Sequence, residues 1–225
     1  MDARAVHRDF LWVLLGITLT CAPLDAFPAP PTPPTGRAEA LAALEDVVAE
    51  RRAEALVWIA NHGRMADQPL LLKRLRDDNE VVRGFAEQGL WRLWSRSGEA
   101  EIDRLMAAGT EHMQAGRHKE AIATFSEVVR RKPAFAEGWN KRATVHYLAG
   151  NFKRSLADCD QVLKRNPYHF GALSGYGQIY FRLEQYDKAL DYWRRALEVN
   201  PNMSGVEINI QGAEELLKKK RGRAI

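Results

Sequence analysis

Ala121–Pro133 reads AIATFSEVVRRKP, Ser155–Pro167 reads SLADCDQVLKRNP and Ala189–Pro201 reads ALDYWRRALEVNP. The three segments end on prolines spaced 34 residues apart, and their columns agree in size. Each opens on a small residue (Ala121, Ser155, Ala189). An apolar residue follows four positions on (Phe125, Cys159, Trp193), and another after three more (Val128, Val162, Ala196). Steps of four and three return to one face of a helix. Upstream of each proline lie two further columns: Leu105, Trp139 and Leu173, and the small residues Gly109, Ala143 and Gly177. A fixed period of this length marks stacked copies of one helical unit.

These columns resemble the tetratricopeptide repeat (TPR) family, whose unit is a 34-residue helical hairpin, over residues 102–201. The resemblance implies an all-α, right-handed α-solenoid of three hairpins. Its predicted helices are 102–115 with 119–131, 136–149 with 153–165, and 170–183 with 187–199. Gly109, Ala143 and Gly177 mark where paired helices cross closely, and Ala121, Ser155 and Ala189 fill the same crossings from the second helix. Gly116 and Gly150 stand where a left-handed residue ends the first helix without steric cost. The third repeat carries Glu184 there instead, which predicts a different turn. A final amphipathic helix, about 205–220, presents Val206, Ile210, Ala213, Leu216 and Leu217 as a cap for the exposed end.

Ahead of the repeats, Ala38–Asn61 has no Gly or Pro and predicts one long helix. Asp67 and Pro69 open a second helix, and Asp77-Asp78-Asn79 turns into a third, 80–97. The run Asp78–Ala86 resembles the middle of a HEAT repeat, so residues 37–100 are expected to form a helical HEAT-like segment before a TPR domain with its cap at 101–221. Trp91 and Trp94 are expected to pack on neighbouring helices.

The first residues carry a different signal. Arg4, His7 and Arg8 precede an apolar run from Phe10 to Leu19, and small residues follow at Ala22 and Ala26. This is the pattern of a secretory signal peptide at 1–26, too short for a span that needs ~20 apolar residues. An uncleaved anchor, or a lipid on Cys21, are the alternatives, and only these would bring membrane contact. Five prolines within Pro28–Pro34 make 27–36 an extended linker. The expected location is periplasmic or secreted, with a membrane-anchored form facing the periplasm as the alternative.

A formal net charge of +4 is too small an excess to point to nucleic acid. The basic cluster Lys218–Arg221 with Arg223 reads as a solvated helix end. No phosphate loop, metal-binding helix or nucleophile elbow occurs, so no cofactor, no metal and no catalysis is expected. His112 and His146 fall in one repeat column and read as packing residues. Asp158, Cys159 and Asp160 are neighbours on a helix and point in different directions.

In the TPR family the first helix of each hairpin lines a concave groove that receives a peptide. Carried over, that groove is Met106, Thr110 and Met113; Asn140, Thr144 and Tyr147; and Ser174, Gln178, Phe181 and Arg182. One TPR subclass grips chaperone tails with a carboxylate clamp of Lys, Asn and Arg. This chain has Met106, Thr110, Lys141, Gly171 and Gly175 at the clamp positions, so the clamp is missing. The expected function is an exported, non-enzymatic adaptor binding a protein or peptide. A self-associating structural or assembly protein of the cell envelope is the alternative.

Overall fold

The computed structural model describes residues 32–222, and the predicted signal segment and the first half of the proline-rich linker lie outside them. Among the described residues every regular element is helical. A first group comprises α1 (Arg37–Ala43), α2 (Ala49–His62), α3 (Gln68–Arg74) and α4 (Glu80–Ser95), with a single 3₁₀ turn at Met65–Asp67. The repeats follow as α5 (Ala100–Gln114) with α6 (His118–Arg131), α7 (Ala136–Leu148) with α8 (Phe152–Arg165), and α9 (Phe170–Arg182) with α10 (Tyr186–Val199). Helix α11 (Ser204–Gly222) packs on α10 as the cap. The three hairpins, the cap and the amino-terminal helical group are therefore present, with repeat boundaries within two residues of those read from the period.

The prolines act through the residue before them. Lys132, Asn166 and Asn200 have φ of −130°, −140° and −125° and leave the helical region, so each second helix stops there. At the hairpin turns Gly116 and Gly150 have φ of 71° and 74°. The expectation for Glu184 is corrected. Its φ is 55°, and its backbone N–H donates to the Phe181 carbonyl, while the Gln185 N–H donates to Tyr180. Gly116 and Gly150 make the same pair of bonds, so the third turn has the geometry of the others and a residue less suited to it.

The close crossings are matched in size. A Cβ on Gly109 would lie 2.7 Å from the Phe125 ring, and one on Gly177 would lie 2.3 Å from Trp193. In the middle repeat the pair is Ala143 and Cys159, both buried. Repeats one and three thus join a glycine to a large aromatic, and repeat two joins two small residues.

The long helix expected over 38–61 is broken at Leu44–Val48. Asp46 accepts the Val48 N–H at 2.9 Å, and buried Arg52 donates to the carbonyls of Asp46 and Val47 at 3.0 and 3.1 Å. Arg83 makes the equivalent bonds to the carbonyls of Asp77 and Asp78. Helices α1 and α3 start at 37 and 68, and α2 and α4 at 49 and 80, an offset of 31 in both cases. The group is thus two short–long hairpins built alike. Arg52 also binds Asp77 at 2.6 and 2.9 Å, which ties the first hairpin to the second.

Helix α4 does not stack along α5 as another solenoid layer. It lies against α7 and the start of α9, where Phe170 enters the amino-terminal core beside Leu90, Trp91 and Trp94. Both tryptophans are spent in this contact. Trp94 stacks on His169 with centroids 4.5 Å apart, and Trp91 meets His169 and Phe170 edge-on at 5.5 and 5.1 Å. Asn202, after α10, donates to the Leu75 carbonyl at 2.8 Å, and Arg76 reaches back to Glu198 and Val199. The helical group therefore closes over one end of repeats two and three.

Candidate binding groove

Helices α7 and α9 are the first helices of the second and third hairpins, and a cavity of about 240 Å³ opens between them. Its floor is small and apolar: Ala143, Cys159, Ala172 and Ile179, with Ser155 and Gly175. Asn140, Thr144, Tyr147, Ser174 and Gln178 stand around it. The structure brings these five predicted groove residues together because positions three to four apart on α7 and α9 share a face.

The other predicted groove residues sit elsewhere. Met106 is buried with Ile102 and Phe125 between α5 and α6, and Met113 packs on the same cluster. Phe181 packs on Trp193 and Tyr186, with ring centroids 5.6 and 5.5 Å away, in the core beneath the cap. Met106 is corrected from groove to core, where full burial of such a side chain is worth ~1.5–3 kcal/mol, while Met113 and Phe181 are half-buried against the hairpin interior and do not line the cavity. Thr110 returns its hydroxyl to the Met106 carbonyl at 2.8 Å. Arg182 is exposed in the last turn of α9, away from the cavity.

The cavity's depth follows from the size pairing. In repeats one and three Phe125 and Trp193 fill the crossing, whereas Cys159 leaves it partly empty. The thiol is neutral there, since burial, reinforced by Asp158 and Asp160, pushes its pKa up to about 12. The acidic neighbours are occupied elsewhere. Asp158 takes two bonds from Arg142, at 2.7 and 2.8 Å, and Asp160 accepts from the Tyr176 hydroxyl. No ionised side chain lines the cavity. Among the described residues the Gln178 amide, the Ser174 hydroxyl and the Tyr147 hydroxyl have no hydrogen-bond partner, so their capacity is free for a ligand.

One wall is held by a buried polar group. Glu137 and His169 are fully buried and 3.1 Å apart. His169 Nδ1 accepts the Ala172 N–H at 3.1 Å and so caps α9, which assigns the ring proton to Nε2, facing Glu137. Asn140 donates to the same carboxylate oxygen at 3.1 Å. Burial works to raise the Glu137 pKa, but His169, Lys141 and Asn140 outweigh it and hold the carboxyl below its usual range. Asn140 is thereby fixed in place at the cavity edge.

At the clamp positions the structure adds a second obstacle to the missing charges. A Cβ on Gly171 would lie 2.4 Å from Trp91, so a longer side chain has no room at this position. Sequence reasoning missed Cys159 as part of the site, and missed Trp91 as the neighbour that packs on Gly171. The size mismatch between columns was the available signal for Cys159. Trp91 arrives through a tertiary contact of 80 residues' separation and leaves no local pattern.

His112 accepts from Arg117 at 3.1 Å, and buried His146 lies 3.9 Å from Asp158. The described residues contain no group of three or more His, Cys, Asp or Glu placed to hold a metal ion, and no helix among them is long and apolar enough to cross a membrane. A second, apolar groove of about 340 Å³ lies between α2 and α4, bordered by Ala53, Val57, Val81 and Phe85.

Comparisons agree with the geometry. Family models described as tetratricopeptide repeat match residues 106–170 and 172–203. A TPR repeat-containing protein of Rhizobium etli is 33% identical over 130 residues, which are 58% of this chain and 63% of the relative. The match thus spans less than two thirds of that relative's length. Among solved structures, the Sgt2 TPR domain from Aspergillus fumigatus superposes with a TM-score of 0.54 at 18% identity, covering 56% of this chain and 85% of its own. The first TPR of Spaghetti (RPAP3), bound to the HSP90 peptide SRMEEVD, gives 0.51 at 21% identity, over 52% and 93%. These likenesses show the fold.

Proposed function

The chain is a tetratricopeptide-repeat protein over residues 106–203, and on that premise we propose that it is a non-enzymatic adaptor holding a protein or peptide partner between α7 and α9. The observation that carries this reading is the convergence of free polar groups on an uncharged cavity: Gln178, Ser174 and Tyr147 around the floor of Ala143 and Cys159. Buried-floor, polar-rim concavities are the usual form of recognition sites. The solved relative holds its HSP90 peptide on the same fold. The chemistry here differs, because Gly171 and Gly175 stand where Lys and Arg would grip a terminal carboxylate. The missing clamp argues against chaperone tails as the ligand.

We propose further that the adaptor is exported and works in a periplasm. Arg4 and Arg8 before the Phe10–Leu19 run support this, and the Rhizobium etli relative is bacterial. A fusion of residues 1–36 to alkaline phosphatase, active only after export, tests it: an inactive fusion removes the proposal. For the groove, photocrosslinking from position 144 in envelope extract should trap a partner that Tyr147→Ala with Gln178→Ala abolishes. A crosslink indifferent to that double change sinks the reading.

Self-association is the second reading, and one observation favours it: Val57 and Val81 are exposed beside the apolar groove between α2 and α4. Trp91 and Trp94 are engaged within the chain, against His169 and Phe170. A light-scattering mass that stays monomeric with rising concentration removes this reading.

A further inference from the structure

We infer that the second repeat carries a side-chain pocket, and that the partner is an internal, uncharged peptide segment that anchors one bulky apolar side chain over Cys159. This rests on the groove reading above and specifies its ligand. Three observations carry it. First, the pocket is made by substitution within the repeat: where Phe125 and Trp193 fill the crossings of repeats one and three, Cys159 leaves volume between Ala143, Ala172 and Ile179. A volume of about 240 Å³ falls below the ~300–1,000 Å³ of sites for drug-sized molecules. It suits a single side chain, and its apolar floor rewards a Leu, Met, Phe or Trp rather than a polar residue.

Second, the rim is neutral. Charged groups near the cavity are already paired: Glu137 with His169 through Oε2 and with Lys141 at 3.5 Å through Oε1, and Asp158 with Arg142. A charged ligand group there would lose hydration with no counter-charge to receive it. Gln178, Ser174 and Tyr147 instead offer hydrogen bonds of the kind a peptide backbone or uncharged side chain uses. Third, Trp91 stands against Gly171, one of the cavity's lining residues, no cationic side chain lines the cavity, and Lys141 at a clamp position is paired with Glu137 at 3.5 Å. A free carboxyl terminus therefore has no seat, and the segment must be internal.

The test uses the full chain and a phage library of linear nine-residue peptides displayed between flanking linkers, followed by anisotropy with the selected sequences as acetylated, amidated peptides. The wild-type chain should enrich one bulky apolar residue at a fixed position with uncharged neighbours, and its replacement by Ala in the peptide should weaken binding at least tenfold. Cys159→Phe, which installs the first repeat's residue, should lose that preference. Cys159→Ala removes volume rather than adding it, and should move selection toward larger side chains, so the proposal does not depend on Cys159→Phe folding. Selection of charged sequences, or of a motif that both Cys159 variants bind as the wild type does, overturns the pocket. If such binding still falls with Asn140→Ala and Gln178→Ala, the groove reading survives alone. If it does not fall, or nothing is enriched, both fail.

Discussion

Gly177→Ala and Gly84→Ala are the same chemical change with opposite expected signs. Gly177 sits mid-way along α9, where an added Cβ would lie 2.3 Å from both Cδ1 and Nε1 of Trp193 and 2.6 Å from Cε2. Carbon contacts are comfortable near ~3.5–4.0 Å, so the ring must retreat by more than about 1 Å. It has little freedom to do so. Trp193 is 1% exposed, its Nε1 donates to the Ser174 carbonyl at 3.2 Å, and Phe181 packs on its other side. Overpacking costs about 1–3 kcal/mol, and loss of the indole bond adds ~0.5–1.5 kcal/mol. Against this, Ala gains ~1 kcal/mol over Gly in a helix interior. The net expectation is destabilisation by about 1–3 kcal/mol. Gly84, in α4, has nothing within 4 Å of its Cβ position, so there the helix preference stands alone and the variant should gain ~0.5–1 kcal/mol. Urea titration followed by circular dichroism reads both. A double change, Gly177→Ala with Trp193→Cys, recreates the Ala143–Cys159 pair of the second repeat and should cost less than the sum of the single changes. A Gly177→Ala protein as stable as the wild type, or strictly additive changes, would refute the size-matching argument.

Glu184→Gly should raise stability by ~0.5–1 kcal/mol in the same titration, because a non-glycine residue at φ 55° carries a left-handed penalty; the reverse change, Gly150→Glu, should lower it by a similar amount. Arg52→Met leaves Asp77 buried with only the 3.1 Å bond from the Asn79 N–H and the 3.3 Å bond from Arg74, and should cost ~3–5 kcal/mol. Burial of Asp77 opposes ionisation, but bonds from Arg52 and the Asn79 N–H dominate and hold its pKa at about 2. A depressed carboxyl contributes stability above its unfolded pKa and loses it as pH falls through the folded one. The urea midpoint of the wild type should therefore drop between about pH 4 and pH 2, and that of Arg52→Met at higher pH. Trp91→Ala should speed hydrogen exchange in residues 80–95 while leaving α10 and α11 protected, since the indole joins α4 to α9; equal loss of protection throughout would mean that the docked helices and the repeats unfold as one unit.

The repeats were legible because their information is local and triplicated. Pro133, Pro167 and Pro201 end helices whatever surrounds them, and a glycine paired with Phe125 or Trp193 states the crossing distance in two residues. The groove was only half legible for a physical reason. Periodicity says which residues share a helix, yet Met106 and Phe181 reach the interior through side-chain length and the position of α6 or α11, which no single helix records. The break in the first predicted helix has a similar origin. Residues 44–48 have no helix-breaking type, and the turn is imposed by Arg52, whose guanidinium takes carbonyls of the turn and carboxylates from the next hairpin together. That same hairpin places Trp91 against Gly171, so a side chain there is excluded by a helix read separately from the groove. Two deficits of size, Cys159 and Gly171, shape the proposed pocket. The first leaves a cavity where sister repeats are filled, while the second is occupied by the protein's own tryptophan, so only the first remains open to a partner.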